Sequence, residues 1–164
     1  MIRNRTFAAA LALAAALALA AEVYAKVGIA VADAFIACWH TKYETNVLRP
    51  VAYIRENVPG AETWMTFVDT PPFPEYTSGH SVQSGAAFEV MTGLFGRDYA
   101  FSDRYHLNRA GTERSFVSFD AAAEESAISR LYGGIHYRPA IAKGVAQGRC
   151  IGSMVSALAF RMES

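Results

Sequence analysis

Apolar residues recur at steps of three and four between about residue 22 and residue 42, which is the period of one helix face. The residues of this face are Val27, Val31, Ala34, Phe35 and Cys38. The spacing predicts a long helix that packs this face against a core. Pro50 favours the first turn of a second, short helix, and Pro59-Gly60 ends it.

The middle of the chain contains a third predicted helix behind a proline-rich segment. Three prolines in DTPPFPEY, residues 69–76, favour an extended or turned backbone. Thr77 and Ser78 then occupy the positions of a helix cap, and Gly93 and Gly96 bracket the expected end of the helix. The pattern therefore predicts a helix that begins close to Ser78.

The C-terminal half of the chain is expected to add a connection and two helices. Residues 97–118 show no clear period and predict a loop or a short hairpin. Helical patterns follow at about 120–132, where two glycines end the helix, and at about 140–162. The sequence shows no internal repeat and no second domain, so it predicts an all-α fold, a single helical bundle.

The first 21 residues permit two interpretations. Arg3 and Arg5 precede the apolar run FAAALALAAALALAA, an order typical of a secretory signal peptide. The protein is then exported, periplasmic or secreted, and contacts a membrane only transiently through this segment. Alternatively, residues 1–21 form an apolar first helix, since alanine and leucine favour helix, and the protein is cytoplasmic. Both interpretations leave residues 22–164 as the domain that carries function.

Composition and charge narrow the classes of function. Apolar residues make up 52% and charged residues 18%, which favours a globular fold over disorder. Fifteen basic and fifteen acidic residues cancel, so the chain lacks the broad positive field that nucleic-acid binding uses. Any anion must be held locally. Cys38 and Cys150 do not form a zinc pattern and are either two buried apolar residues or, after export, one disulfide.

Two short segments carry pairs of residues suited to binding an oxyanion. KYETNVLRP places Lys42 and Arg49 seven residues apart, which on a continuous helix would put both cations on one face. SRLYGGIH places Arg130 six residues before His136, and the two glycines between them predict a break that turns the imidazole back toward the guanidinium. Arginine forks match tetrahedral oxyanions bidentately, and lysine adds a point charge.

The third segment, TSGHS, falls at the predicted helix start, where free backbone N–H groups attract an anion. In this segment Ser78 supplies a hydroxyl, Gly79 permits close approach of the main chain, and His80 can donate or accept a proton. Each segment alone has an ordinary explanation as a solvated helix face, a cap or a core histidine. Together the three segments indicate one site for a phosphate-like oxyanion.

The segments K-x6-RP, SGH and SR-x5-H resemble the three-part signature of type 2 phosphatidic acid phosphatases, bacterial acid phosphatases and vanadium-dependent haloperoxidases. Here 26 residues separate Pro50 from Thr77 and 48 separate His80 from Ser129, spacings usual in that family. The flanking sequences ADAFIACW, PPFPEYTSGHS and GVAQGRCIG are similar to the bacterial haloperoxidase-like branch. The resemblance implies a helical bundle of the acid phosphatase/vanadium haloperoxidase type.

The resemblance also implies how the site residues share one task. The residue matching His136 is the axial vanadium ligand or, in phosphatases, the nucleophile that becomes phosphohistidine, and the residue matching His80 is its acid/base partner. The equatorial oxygens are held by Lys42, Arg49, Ser78, Gly79 and Arg130. In the haloperoxidase version, vanadate is the cofactor and the small-molecule substrates are hydrogen peroxide and a halide. In the phosphatase version, no cofactor is needed and the substrate is a phosphate monoester.

Two departures from the family pattern keep further alternatives open. The family usually has an aspartate four residues after the third-segment histidine to orient the imidazole, where this chain has Ala140. The carboxylates expected to substitute are Asp120, Glu124 and Glu125. Relatives also carry a long helical region before the first motif. The chain is therefore expected to be a minimal enzyme, a homo-oligomer that completes its core with a neighbour, or a truncated non-catalytic phosphate-binding domain.

Overall fold

The computed structural model describes residues 2–105 and 112–160, with side chains from residue 8 onward. Its elements, in chain order, are α1 (Ile2–Thr45), α2 (Pro50–Asn57), α3 (Gly79–Phe95), β1 (Phe101–Asp103), β2 (Arg114–Phe116), α4 (Phe119–Tyr132) and α5 (Arg138–Ser156). Helix α3 lies at the centre, and α1, α4 and α5 all pack against it. The predicted all-α class and the helical bundle are confirmed.

Helix α1 is buried along a row of residues spaced four apart: Glu22, Lys26, Ala30, Ala34, Cys38 and Lys42. The small side chains at the centre of this row allow α3 to approach closely, and they pack with Val82, Ala86 and Val90. The predicted face is wrong at Phe35, which is 43% exposed, because small residues and not large ones face α3. The two lysines of the row lie at opposite ends of the contact.

The N-terminal part of α1 makes no buried contact over residues 8–21, all of which are exposed. Within the part of the chain that the structure describes, α1 is the one helix long and apolar enough, by length and composition, to cross a membrane. The exposed leucines of this stretch include Leu11, Leu13 and Leu17. The helix therefore continues from residue 21 into the bundle without a break, while its apolar N-terminal part contributes nothing to the core.

The prediction of two buried cysteines is confirmed for Cys38 and wrong for Cys150. Both thiols are free, and only Cys38 is buried. Cys150 lies on the exposed side of α5, and no disulfide links the two cysteines. Burial raises the pKa of the Cys38 thiol, which keeps it neutral inside the core.

The connection between α3 and α4 contains the predicted hairpin. Strands β1 and β2 pair antiparallel, with Phe101 opposite Phe116, and residues 106–111 between them lie outside the described part. The last helix ends at Ser156, earlier than predicted, and residues 161–164 lie outside the description as well. Phe119 at the start of α4 packs against the rings of Phe88 in α3 and Phe101 in β1, which fixes the hairpin to the bundle.

Helices α3 and α5 meet backbone to backbone because α5 carries Gly144, Gly148 and Gly152 at the contact. A Cβ atom at Gly144 would lie 2.8 Å from the Cβ of Ser81 and 3.0 Å from the carbonyl oxygen of Ser78. These glycines thus set how deeply the start of α3 sits on α5.

We expect Gly144→Ala to lower the free energy of unfolding by about 1–3 kcal/mol, because the added methyl group must push the two helices apart. Chemical denaturation followed by circular dichroism measures the change. Gly28→Ala is the matched control, since Gly28 lies in α1 with nothing within 4 Å of an added Cβ, and the helix propensity of alanine should leave stability equal or higher. Unchanged stability in Gly144→Ala would contradict the close packing.

Candidate oxyanion site

Lys42 is the last residue of the buried row of α1, and its side chain is completely buried. Its ammonium group donates to the main-chain carbonyls of Pro74 at 3.0 Å, Glu75 at 2.9 Å and Thr77 at 2.6 Å. An ammonium has three N–H donors, so all of them hold the segment before α3. Burial lowers the pKa of Lys42 to about 8. Lys42 therefore contributes positive charge to the site while its hydrogen bonds shape the wall of the site.

Arg49 reaches the same region by a route that the sequence argument did not predict. Helix α1 ends at Thr45, and Asn46 adopts a positive φ of 49°, so Lys42 and Arg49 do not share a helix. Arg49 is extended because Pro50 follows it, and it stands at the N-cap position of α2. The prediction of one continuous helix is wrong, but the turn brings both cations against the same segment.

The guanidinium of Arg49 is buried and three of its contacts are defined. Nε donates to the carbonyl of Phe73 at 2.9 Å, and Nη1 donates to the carbonyl of Ile135 at 2.8 Å. Nη1 also lies 3.2 Å from Nε2 of His136. Nη2 is buried without a hydrogen-bond partner among the described residues. A buried N–H donor in this state favours a ligand that can accept from it.

The start of α3 presents its backbone without a side-chain cap. Ser78 stands at the N-cap position, but its hydroxyl accepts no bond from the helix and is buried without a partner in the described ranges. The Thr77 hydroxyl donates to Gln147 instead, at 2.7 Å. The backbone N–H of Ser78 donates to the carbonyl of Ala140, which fixes this turn on α5. The Gly79 Cα faces the Trp39 ring, with 3.4 Å to an added Cβ.

His136 enters the site from the turn that follows α4. Gly134 has a positive φ of 77° and packs against Trp64, so only glycine fits there without strain. The predicted direction of the turn is wrong: the imidazole lies beside Arg49 and not beside Arg130. Burial lowers the pKa of His136, and Arg49 lowers it further, against the opposing effect of Glu75. The ring is therefore neutral near pH 7.

Glu75 is the site residue that the sequence argument missed. Its carboxylate is 1% exposed, and Oε1 lies 2.7 Å from Nδ1 of His136. The same oxygen accepts a hydrogen bond from the backbone N–H of Tyr137 at 3.0 Å. The one signal in the sequence was an acidic residue inside the proline-rich segment directly before the third helix.

The three carboxylates expected to replace the missing aspartate do not reach His136. Asp120 binds Arg149 and Arg97 at 2.9 and 3.1 Å. Glu124 lies 3.4 Å from Arg149, and Glu125 pairs with Arg114. That prediction is wrong because these residues lie on the side of α4 that faces the hairpin and the outer surface of α5.

His80 and Arg130 form the second half of the site. Nη1 of Arg130 lies 3.5 Å from Nε2 of His80, and Nε of Arg130 donates to the Ser129 hydroxyl at 3.1 Å. His80 is exposed at its outer edge, yet partial desolvation lowers its pKa, and the charge of Arg130 lowers it further. A neutral imidazole that reaches solvent can transfer protons between a ligand and water.

The seven predicted residues thus occupy one region of the fold, built from four elements. The end of α1 and the start of α2 supply Lys42 and Arg49, and the start of α3 supplies the Ser-Gly-His turn. The last turn of α4 supplies Arg130, and the turn that follows supplies His136. His40, by contrast, lies on the surface and pairs with Glu44 at 3.6 Å. The arrangement concentrates positive charge and main-chain N–H groups around a neutral imidazole.

Comparisons with known proteins point to one family. Residues 22–163 match the family model described as the VCPO second helical-bundle domain. The vanadium chloroperoxidase of Curvularia inaequalis is 31% identical over 105 residues, which are 56% of this chain and 15% of that protein.

Solved structures agree in fold. The first bacterial vanadium-dependent iodoperoxidase is 51% identical with a TM-score of 0.76, over 81% of this chain and 32% of that one. A bacterial vanadium-dependent chloroperoxidase in its holo form is similar in fold alone, at 19% identity and a TM-score of 0.68, over 80% of this chain and 34% of the other. The chain therefore spans about a third of the length of these solved relatives.

Proposed function

The chain belongs to the vanadium haloperoxidase superfamily, and on this premise we propose that its site binds vanadate and oxidises a halide with hydrogen peroxide. One observation carries the proposal: Arg49 Nη2 and Ser78 Oγ are both buried without a hydrogen-bond partner among the described residues. Each such atom costs about 1–3 kcal/mol unless a ligand binds it. A vanadate or phosphate ion offers several acceptor oxygens at once and so suits both.

The charge of the site supports an anionic ligand. Arg49 is buried and Lys42 is fully buried, while Arg130 lies beside the start of α3. Guanidinium forks and free N–H groups at a helix N-terminus stabilise oxyanions far better in a desolvated site than in water. Arg49, Ser78, Gly79 and Arg130 would hold the oxygens of the ion, while Lys42, whose three donors bind main-chain carbonyls, would contribute its positive charge.

The two histidines take different tasks in this proposal. His136 is neutral and buried, so it would hold vanadate through a nitrogen lone pair. When bound, vanadate supplies the Lewis-acidic centre at which hydrogen peroxide is activated toward a halide. His80 reaches solvent and accepts a proton from the incoming peroxide, because its lowered pKa keeps it neutral at pH 7.

A phosphatase is the second candidate, because the hydrogen bond from His136 to Glu75 also suits a nucleophilic imidazole. In that reaction Nε2 of His136 attacks phosphorus, the bond to the ester oxygen breaks, and the leaving alkoxide takes a proton from the imidazolium form of His80. Because the pKa of His80 is lowered, this reaction would require acidic pH. Water then hydrolyses the N–P bond and releases phosphate. The anion shell is the same in both reactions, so the assay must distinguish them.

The test compares the two chemistries on one purified sample. Protein loaded with orthovanadate is assayed with hydrogen peroxide and iodide, bromide or chloride, and unloaded protein is assayed with p-nitrophenyl phosphate. We expect halide oxidation that requires both vanadate and peroxide. Phosphate release by the unloaded protein, with no halide oxidation, would establish the phosphatase instead. A folded sample without either activity would show a non-catalytic domain and overturn both proposals.

We also propose that residues 1–21 direct export. Leu11, Leu13 and Leu17 are all more than half exposed, so the segment gives the bundle no packing that cleavage would remove. The basic start and apolar run have the form of a signal peptide. In a secreting bacterial host, mass spectrometry should find a periplasmic or secreted chain that begins near residue 22. Full-length protein confined to the cytoplasm would contradict export.

A further inference from the structure

Glu75 is an acidic residue whose side chain is buried beside His136. One carboxylate oxygen, Oε1, receives contacts from both Nδ1 of His136 at 2.7 Å and the backbone N of Tyr137 at 3.0 Å. Burying a carboxylate is unfavourable unless charges and hydrogen bonds compensate it. Lys42 and Arg49 supply the opposite charge, and burial lowers their pKa values while the interaction with Glu75 partly opposes that lowering.

The contact determines which nitrogen of His136 carries the proton. A carboxylate oxygen only accepts hydrogen bonds, so Nδ1 must be protonated and must donate to Glu75. On a neutral ring, Nε2 then bears the lone pair, and Arg49 Nη1, 3.2 Å away, can only donate to it. Both neighbours of the imidazole therefore require the same tautomer.

We infer that Glu75 is the positioning residue of His136: it fixes the Nδ1–H tautomer and so keeps the lone pair on Nε2, the nitrogen beside Arg49 that would bind the central atom of the oxyanion. This role rests on the proposed function, because the lone pair of Nε2 acts only on a ligand with a central atom that accepts an electron pair. Carboxylates orient ligating or nucleophilic histidines in this way in many sites.

Glu75 also explains how His136 can be oriented although residue 140 is an alanine. The family resemblance puts the orienting aspartate there, but Ala140 is fully buried, and its carbonyl accepts from the N–H of Ser78. In this chain the carboxylate comes from the segment before α3 instead of from the start of α5. The same segment is held by Lys42 through the carbonyl of Glu75 itself, which fixes the carboxylate relative to the site.

The tautomer can be measured without turnover. In protein with 15N-labelled histidine, long-range 1H–15N spectra distinguish a protonated from an unprotonated ring nitrogen, and His136→Gln assigns the signals. We expect wild-type His136 to show a protonated Nδ1 and an unprotonated Nε2. In Glu75→Gln, whose amide can also donate to the ring, we expect a mixture of tautomers. Wild-type protein with the proton on Nε2 would overturn the inference, whether or not the variant folds.

A second readout separates positioning from support of the fold. We expect the vanadate-loaded Glu75→Gln enzyme, or the unloaded enzyme if phosphatase activity is found, to turn over about 10–100-fold more slowly. Asp120→Asn is the matched control, since Asp120 is also a carboxylate bound to arginines, but away from His136. Asp120→Asn should leave both the tautomer of His136 and the turnover rate unchanged. A Glu75→Gln variant with lowered stability but unchanged tautomer and rate would show a purely structural role.

The two proposals can fail separately. If wild-type protein shows the expected tautomer but binds neither vanadate nor phosphate, the proposed function is wrong, and the role of Glu75 is reduced to holding the ring. If wild-type protein turns over and Glu75→Gln matches it in rate and tautomer, only the role of Glu75 is wrong.

Discussion

Arg49→Lys should lower the affinity for orthovanadate about thirty-fold or more. Lysine keeps the positive charge but loses Nη2, the buried donor that has no partner among the described residues. Losing a hydrogen bond between a charged donor and an ion costs about 2 kcal/mol, which is about thirty-fold in affinity. Lysine also cannot form the two parallel bonds of a guanidinium fork. Calorimetric titration of wild type and variant measures the difference.

Arg55→Lys is the control for the charge-conserving change. Arg55 lies on the same short helix, is exposed, and donates to the carbonyl of Trp64. Its replacement should leave vanadate affinity unchanged. If Arg49→Lys folds and binds vanadate as tightly as wild type, Arg49 does not hold the ion, and the proposed shell is wrong at this guanidinium.

His136→Ala should abolish turnover, by about a thousand-fold or more, in whichever reaction the wild-type chain performs. The imidazole is the one neutral nitrogen base buried in the site, held between Glu75 and Arg49. Removing the central group of a catalytic constellation costs rate factors of about 10⁴–10⁶ in well-studied enzymes, so a thousand-fold is a conservative expectation. Steady-state assays under the conditions that give wild-type activity measure the loss.

The comparison needs a folded variant and a matched histidine. Circular dichroism and a denaturation curve establish that His136→Ala retains the helical bundle. His40→Ala is the control, because His40 is an exposed histidine whose one defined contact is with Glu44, and it should keep full activity. A folded His136→Ala that turns over at the wild-type rate would remove His136 from the reaction.

The helices could be predicted because their signals are local. Pro50, the cap position at Ser78 and the glycines at 96 and 133 mark helix ends within a few residues of where the structure has them. The buried face of α1 was predicted less well. Periodicity finds apolar positions, but close packing against α3 selects small ones, so Ala30 and Ala34 are buried while Phe35 is not.

The composition of the site was predictable, but its internal contacts were not. From motif order and spacing it could be predicted that Lys42, Arg49 and His136 lie in one region. The reason given for the first pair, a shared helix, was wrong. The pairing of Glu75 with His136 spans 61 residues and depends on how the proline-rich segment lies on Lys42. No local pattern encodes such a contact, since it arises from the packing of four elements.

The measurement that tests the central claim most directly is a calorimetric titration of the purified chain with orthovanadate, repeated in the presence of phosphate. We expect saturable binding at one site, and we expect phosphate to weaken it increasingly as the phosphate concentration rises, because both ions use the same donors. A folded sample that shows no binding heat, or vanadate binding that phosphate does not affect, would contradict the oxyanion site.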